Sequence, residues 1–191
     1  MNRRTTVAIA ATTALALPLA AATGAGAAVK PKKNEIVILG KTVFKPGKFA
    51  HDNQRFVSRK ASVASGSTMT VTNRARTTDP HTITFVEKSS LPTSFEAPAA
   101  DAAFAAHSPQ GDNGPFFPVV DDGVGVADPT ALLNADTLGN DTTAGDSMFI
   151  APKEKKSTVA TASFNVTAAA GSTLYYFCAI HPWMSGKLRV K

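Results

Sequence analysis

From about Asn34 onward, apolar and polar residues alternate in short segments separated by turn-forming residues. A period of two puts one apolar row on one side of an extended strand, so the chain must bury many short half-apolar strands. In "STMTVTN", Met69 and Val71 stand opposite Thr68, Thr70 and Thr72. In "HTITF", His81, Ile83 and Phe85 share one face, opposite Thr82 and Thr84. "VATASFNV" aligns Ala160, Ala162, Phe164 and Val166, and "LYYFC" aligns Leu174, Tyr176 and Cys178. "EIVILG" is a nearly continuous apolar run, "RKASVA" pairs Ala61 with Val63, and "KLRVK" turns Leu188 and Val190 inward. Turn signals such as "KPGK", "SGS" and "AAGS" lie between such segments. The pattern predicts an all-β fold, an antiparallel β-sandwich of Greek-key type, with little room for helix.

The first 28 residues have a different character. "MNRR" is a short basic start, followed by an uncharged stretch rich in Ala and Thr that ends in small residues near Ala27 and Ala28. This is the pattern of a cleaved export signal. Arg3 and Arg4 leave the twin-arginine and general routes both open. The remainder, 29–191, is expected to form a single domain. The expected location is the periplasm, the cell envelope or the exterior.

Charge divides the chain a second time. Between 89 and 150 stand nine acidic residues and no Lys or Arg, whereas the rest of the mature chain is strongly basic. This acidic stretch is too long for a plain connection and is expected to be a mostly irregular insertion. Phe104, Phe116, Phe117, Leu132, Leu133 and Phe149 predict that part of it packs, against the basic body. "SFEAPAADAAFAAH" has the composition of a short helix, interrupted by Pro98. "DDGVGVADPTALLNADTLGND" lacks the alternate oxygen spacing and closing Glu of a calcium loop, which leaves a solvated acidic loop as its better description. Scattered basic residues without interleaved aromatics argue against nucleic-acid binding.

An exported chain with one cysteine raises a chemical question, because an unpaired thiol is a liability in an oxidising compartment. Cys178 stands three residues before His181 and six before Met184, in "YYFCAIHPWMSGKLRVK". Pro182 and the flanking strand patterns argue against a helix there, so the three side chains are expected in a tight loop at one end of the sandwich. His81, at the head of "HTITF", can join them from a neighbouring strand. Taken singly, His81 would be a strand-edge residue, Met184 core filling and Trp183 packing. Their co-occurrence supplies one thiolate, two imidazoles and a thioether. Zinc sites seldom use Met, whereas copper electron-transfer centres use this donor set.

"DPHTITF" followed far downstream by "YYFCAIHPWMSGKLRV" resembles the cupredoxin (blue copper) family, most closely its amicyanin and plastocyanin-like members. The resemblance covers roughly 34–88 and 151–191. It implies His81, Cys178, His181 and Met184 as ligands to one copper ion cycling between Cu(I) and Cu(II). It also implies electron exchange with a partner protein near Pro80, His181, Pro182 and Trp183, by a monomer that is not an enzyme. A protein that stores or delivers copper would use the same ligands. A structural or adhesive envelope module with a vestigial site would instead fold unchanged and show no colour with copper. Two features depart from the family pattern. Thr82 follows the first His where several relatives carry an amide that ties the ligand loops together. The acidic insertion has no counterpart in small members. Backbone amides near Asn73 or Thr82 are candidate donors to the Cys178 sulfur. His51 and His107 are isolated histidines whose metal binding the sequence leaves open.

Overall fold

The computed structural model describes residues 29–58, 60–93, 132–140 and 144–191. The export signal, the candidate helix at 94–107, His107, and Phe104, Phe116 and Phe117 lie outside the described residues. The body runs from Pro31 to Lys191. Among the described residues no helix is long and apolar enough to cross a membrane.

Twelve strands are described: β1 Glu35–Leu39, β2 Thr42–Lys45, β3 Phe49–Asp52, β4 Arg55–Val57, β5 Lys60–Val63, β6 Thr68–Asn73, β7 His81–Val86, β8 Leu133–Ala135, β9 Ser147–Ile150, β10 Ala160–Val166, β11 Thr173–Phe177 and β12 Ser185–Val190. Ten of them form two five-stranded sheets, in the orders β4-β1-β6-β10-β8 and β5-β12-β11-β7-β9, while β2 and β3 form a separate hairpin. The expected sandwich is therefore present. Its pairing is mixed, however: β1 with β6, β10 with β8, and β12 with β5 run parallel. The reason is topological. From β4 to β11 the chain changes sheet at every connection, so strands adjacent in sequence seldom pair.

The core lies between the sheets. Met69, Val71, Phe164 and Val166 face Ile83, Phe85, Tyr176 and Leu188, all fully buried. Phe85 meets Phe164 edge to face at 5.3 Å, and Phe56 meets Tyr176 likewise at 5.2 Å. Strand β12 shows the simplest pattern, with Leu188 and Val190 buried and Lys187 and Arg189 exposed. Strand β7 departs from alternation, since all six of its residues are buried. The second face is covered too: Val86, Phe177 and Ala179 form a small apolar cluster with Leu91.

The acidic stretch needs correction in its last part. Residues 133–135 pair with β10, and 147–150 pair with β7 from His81 to Thr84, so both belong to the sandwich. Leu133 and Ile150 are core residues, while Leu132 is exposed. These strands are too short for periodicity to reveal them, and β8 interposes a polar Asn134.

Four connections gather at one end of the sandwich. They are the segment around the β2–β3 hairpin (40–54), the β6–β7 link (74–80), the β9–β10 link (151–159) and the β11–β12 loop (178–184). In the hairpin, Gly47 occupies the left-handed region at φ 66° in the "KPGK" turn that the sequence marks.

Candidate metal centre

The β11–β12 loop explains the spacing of three. His181 N–H donates to Cys178 O at 3.2 Å and Met184 N–H donates to His181 O at 2.8 Å, making two consecutive turns that share His181. Cys178 N–H closes the loop on Met184 O at 3.0 Å. Residues 178, 181 and 184 thus recur at the corners of one compact loop, and Pro182 sits inside the second turn where a helix would break.

His81, the first residue of β7, is brought to this loop because β7 pairs with β11. Cys178 Sγ lies 3.8 Å from His81 Nδ1 and 3.6 Å from His181 Nδ1. The three donor atoms all lie within 4.8 Å of one another, and all three residues are buried. The two imidazoles stack obliquely, 4.7 Å between centroids. An ion about 2.3 Å from a thiolate and about 2.0 Å from an imidazole nitrogen spaces those donors about 3.5–3.7 Å apart, for angles between tetrahedral and trigonal. The observed separations fit. Met184 is 1% exposed, in the same apolar cluster as Cys178 and Ile180.

The sulfur is also held by the backbone. Thr82 N–H donates to Cys178 Sγ at 3.3 Å, one of the two donors anticipated from the sequence. The Thr82 hydroxyl accepts from Ala179 N–H at 2.8 Å and from Thr84 Oγ1 at 3.1 Å. A threonine therefore joins the two ligand-bearing segments. The Asn73 side-chain Oδ1 accepts from Ala75 N–H at 3.1 Å. Replacing Thr82 by Val is expected to leave the buried Ala179 N–H without an acceptor and to cost about 1–3 kcal/mol of stability. Thr82→Ser should recover most of that loss in the same denaturant titration, which would not happen if shape alone mattered.

Electrostatics keeps the donors neutral before metal arrives. Burial, first, and the field of His181, second, push the His81 imidazole down to about 3; Asp52 acts in the opposite sense and Lys153 in the same sense. His181 is also lowered by burial, with Asp52 and Asp79 opposing. Burial raises the Cys178 thiol above its ordinary value against the hydrogen bonds from Thr82 and the loop amides. A folded histidine that resists protonation makes stability pH-dependent. Below about pH 6.5 the unfolded chain takes up a proton that folded His81 refuses, so stability declines as pH falls toward 3. For the metal-free protein, His81 alone is expected to cost about 3 kcal/mol between pH 7 and pH 4. Denaturant unfolding at the two pH values measures this, and equal stabilities would contradict it. The thiol acts at the other end: folded Cys178 keeps its proton as pH rises through the usual thiol range, so stability falls there as well.

His181 is the ligand candidate nearest the surface, yet it is only 7% exposed, less open than the family resemblance implies. Trp183 packs edge to face on its ring at 5.1 Å and is itself 37% exposed. Pro80 and Pro182 are half-buried beside it in sequence and in the loops. Two groups of residues here escaped the sequence reading. Lys153 is buried, with its ammonium donating to Ala75 O and to Lys156 O, and lends positive charge toward His81. Asp52, Gln54 and Asp79 surround the outer nitrogen of His181. "TDPH" places Asp79 two residues before His81, which is the one sequence signal that pointed this way. His51 is exposed on β3 and belongs to neither grouping of potential ligands among the described residues.

No family model and no curated protein matches the sequence. Among solved structures the chain is similar to auracyanin A, a "blue" copper protein from the green thermophilic photosynthetic bacterium Chloroflexus aurantiacus. Identity there is 21%, covering 82% of this chain and 99% of that chain, with a TM-score of 0.38. It is also similar to a purple cupredoxin from Nitrosopumilus maritimus, at 14% identity over 82% and 98% of the two chains with a TM-score of 0.31. Rusticyanin from Thiobacillus ferrooxidans gives 17% over 84% and 79%, with a TM-score of 0.34. What the site can hold follows from its own atoms. One soft sulfur and two imidazole nitrogens at these spacings suit copper in either oxidation state.

Proposed function

We propose that this chain is a cupredoxin-like type 1 copper protein that carries single electrons in the cell envelope or outside the cell. The observation that carries the proposal is the convergence of His81 Nδ1 and His181 Nδ1 on Cys178 Sγ, at 3.8 and 3.6 Å, in a buried site. His81, Cys178 and His181 would hold the ion, with Met184 as the weak axial donor. When bound, copper supplies a one-electron couple. The chain's part is to keep the donors in place. The paired turns, the Thr82 bridge and the packed rings fix the ligand atoms before binding, which keeps rearrangement between oxidation states small.

Cys178 is expected to give up its proton on loading, about one per ion at neutral pH, because the buried thiol is protonated beforehand. Electrons would pass through the face formed by Pro80, His181, Pro182 and Trp183. Exposed Trp183, and exposed Phe44 and Phe49 on the hairpin at the same end, give a partner protein apolar surface to cover. Export is supported by the N-terminal composition and by a single cysteine that a metal would occupy. Copper storage or delivery is the rival for the same ligands. Visible and EPR spectra of the copper-loaded protein, taken through several rounds of reduction and reoxidation, separate the two. Electron transfer requires an intense blue cupric form that returns undiminished. Copper lost at each reduction would instead indicate delivery, and no colour at all would remove the copper site.

A further inference from the structure

The outer edge of the His181 ring is held by a polar network that the donor set does not itself require. At its centre is Gln54, 1% exposed, in the link between β3 and β4. Its side-chain nitrogen donates to Asp52 Oδ2 at 2.9 Å and to Asp79 Oδ2 at 3.0 Å, and lies 3.3 Å from both Thr42 Oγ1 and His181 Nε2. Its side-chain oxygen accepts from Thr77 Oγ1 at 3.1 Å. The amide cannot turn over without setting its oxygen against two carboxylates, so the network itself fixes its orientation. Carboxylate oxygens of Asp52 and Asp79 and a ring nitrogen of His181 lie within 4.8 Å of one another.

We propose that Asp52 and Asp79, held together by Gln54, are positioning residues for His181, and that the two carboxylates bias the bound ion toward its higher oxidation state. The second half rests on the copper function proposed above. A neutral imidazole carries one proton, and Nδ1 can donate to a metal only if that proton sits on Nε2. A proton on Nε2 faces two carboxylates and is attracted by them. A lone pair there would face the same negative charge and be repelled. The two hydrogens of the Gln54 amide are taken up by these carboxylates rather than by Nε2, so the surroundings select the tautomer whose Nδ1 lone pair is turned to Cys178.

The clamp also ties separate loops to one ring. Asp52 ends β3 and is bonded to Thr42 at the base of the hairpin, while Thr77 and Asp79 belong to the link that leads into His81. Moving the hairpin base therefore disturbs the hydrogen bonds that hold the two carboxylates beside His181. His81 is held differently. Its Nε2 has no hydrogen-bond partner among the described residues, and its ring is fixed by complete burial and by contact with His181. Two negative charges beside a ligand ring stabilise the cupric over the cuprous ion, since the larger positive charge gains more.

The test uses the full mature chain labelled with 15N. In the metal-free protein the His181 ring is expected to show a protonated Nε2 and an unprotonated Nδ1. Asp52→Asn with Asp79→Asn should release it into a mixture of both tautomers. In the copper-loaded protein the double Asn variant should shift the ratio of cuprous to cupric affinity upward on the order of tenfold, read as a higher midpoint potential. If the double variant does not fold, Asp79→Asn alone decides, because this half-buried side chain can lose its charge while Asp79 N–H still donates to Thr77. A blue protein whose variants keep both the tautomer and the potential overturns the proposal. A chain that takes up no copper, but whose His181 tautomer is released by the variants, upholds the positioning role and refutes the copper function instead.

Discussion

Replacing Cys178 by Ser is expected to abolish the intense visible absorption and to lower affinity for Cu(I) at least about a hundredfold. The sulfur is the one soft, anionic donor available to the site, and among the described residues no other side chain can supply a thiolate. A serine hydroxyl is hard and stays protonated near neutrality, so the charge and the polarisability of the donor both disappear. The fold should survive. Cys178 is fully buried, but a serine oxygen can still accept from the Thr82 N–H that now meets the sulfur at 3.3 Å. Metal-free stability should therefore fall by only about 1–2 kcal/mol. Spectral loss with retained folding would locate the effect at the metal. A variant that stays strongly blue would mean that the sulfur is not a ligand.

Gly145→Ala should produce the largest loss of stability. A Cβ at this position would sit 1.9 Å from Phe85 O and 2.3 Å from Gly139 N, and both are backbone atoms that cannot swing aside. The surroundings are already committed: Gly139 N–H donates to Phe85 O, Phe85 N–H to Asp146 O and Glu87 N–H to Gly139 O. Accommodating a methyl group requires this segment to lift from β7, whose first residue is His81. A cost of at least about 3 kcal/mol is expected, or a fall in Tm of about 6–12 °C. Gly47→Ala is the comparison, because open space surrounds it and only its left-handed backbone is unfavourable. It should cost about 1 kcal/mol. Equal stabilities for the two variants would show that the close backbone approach at Gly145 is not enforced.

Strands with a regular apolar row were legible in the sequence. Met69 and Val71, Phe164 and Val166, Leu174 and Tyr176, and Leu188 and Val190 all turn inward as alternation requires. The hairpin strands β2 and β3 were not legible, because both lie largely exposed and carry no apolar row to bury. Strand β4 has one buried residue, Phe56, and three residues cannot define a period. Strands β8 and β9 were hidden inside a stretch whose acidic composition pointed to an insertion.

The sequence by itself determined the sandwich and the clustering of Cys178, His181 and Met184, because both depend on local spacing: two residues per strand repeat, three per turn. Only the tertiary structure decided that the His81 strand lies directly against β11, that Thr82 bridges the ligand loops, and that Asp52, Gln54 and Asp79 enclose the far side of His181. Those relations join residues 25 to 127 positions apart. Contacts at such separations follow from the way the two sheets exchange strands, and no pattern along the chain encodes that directly.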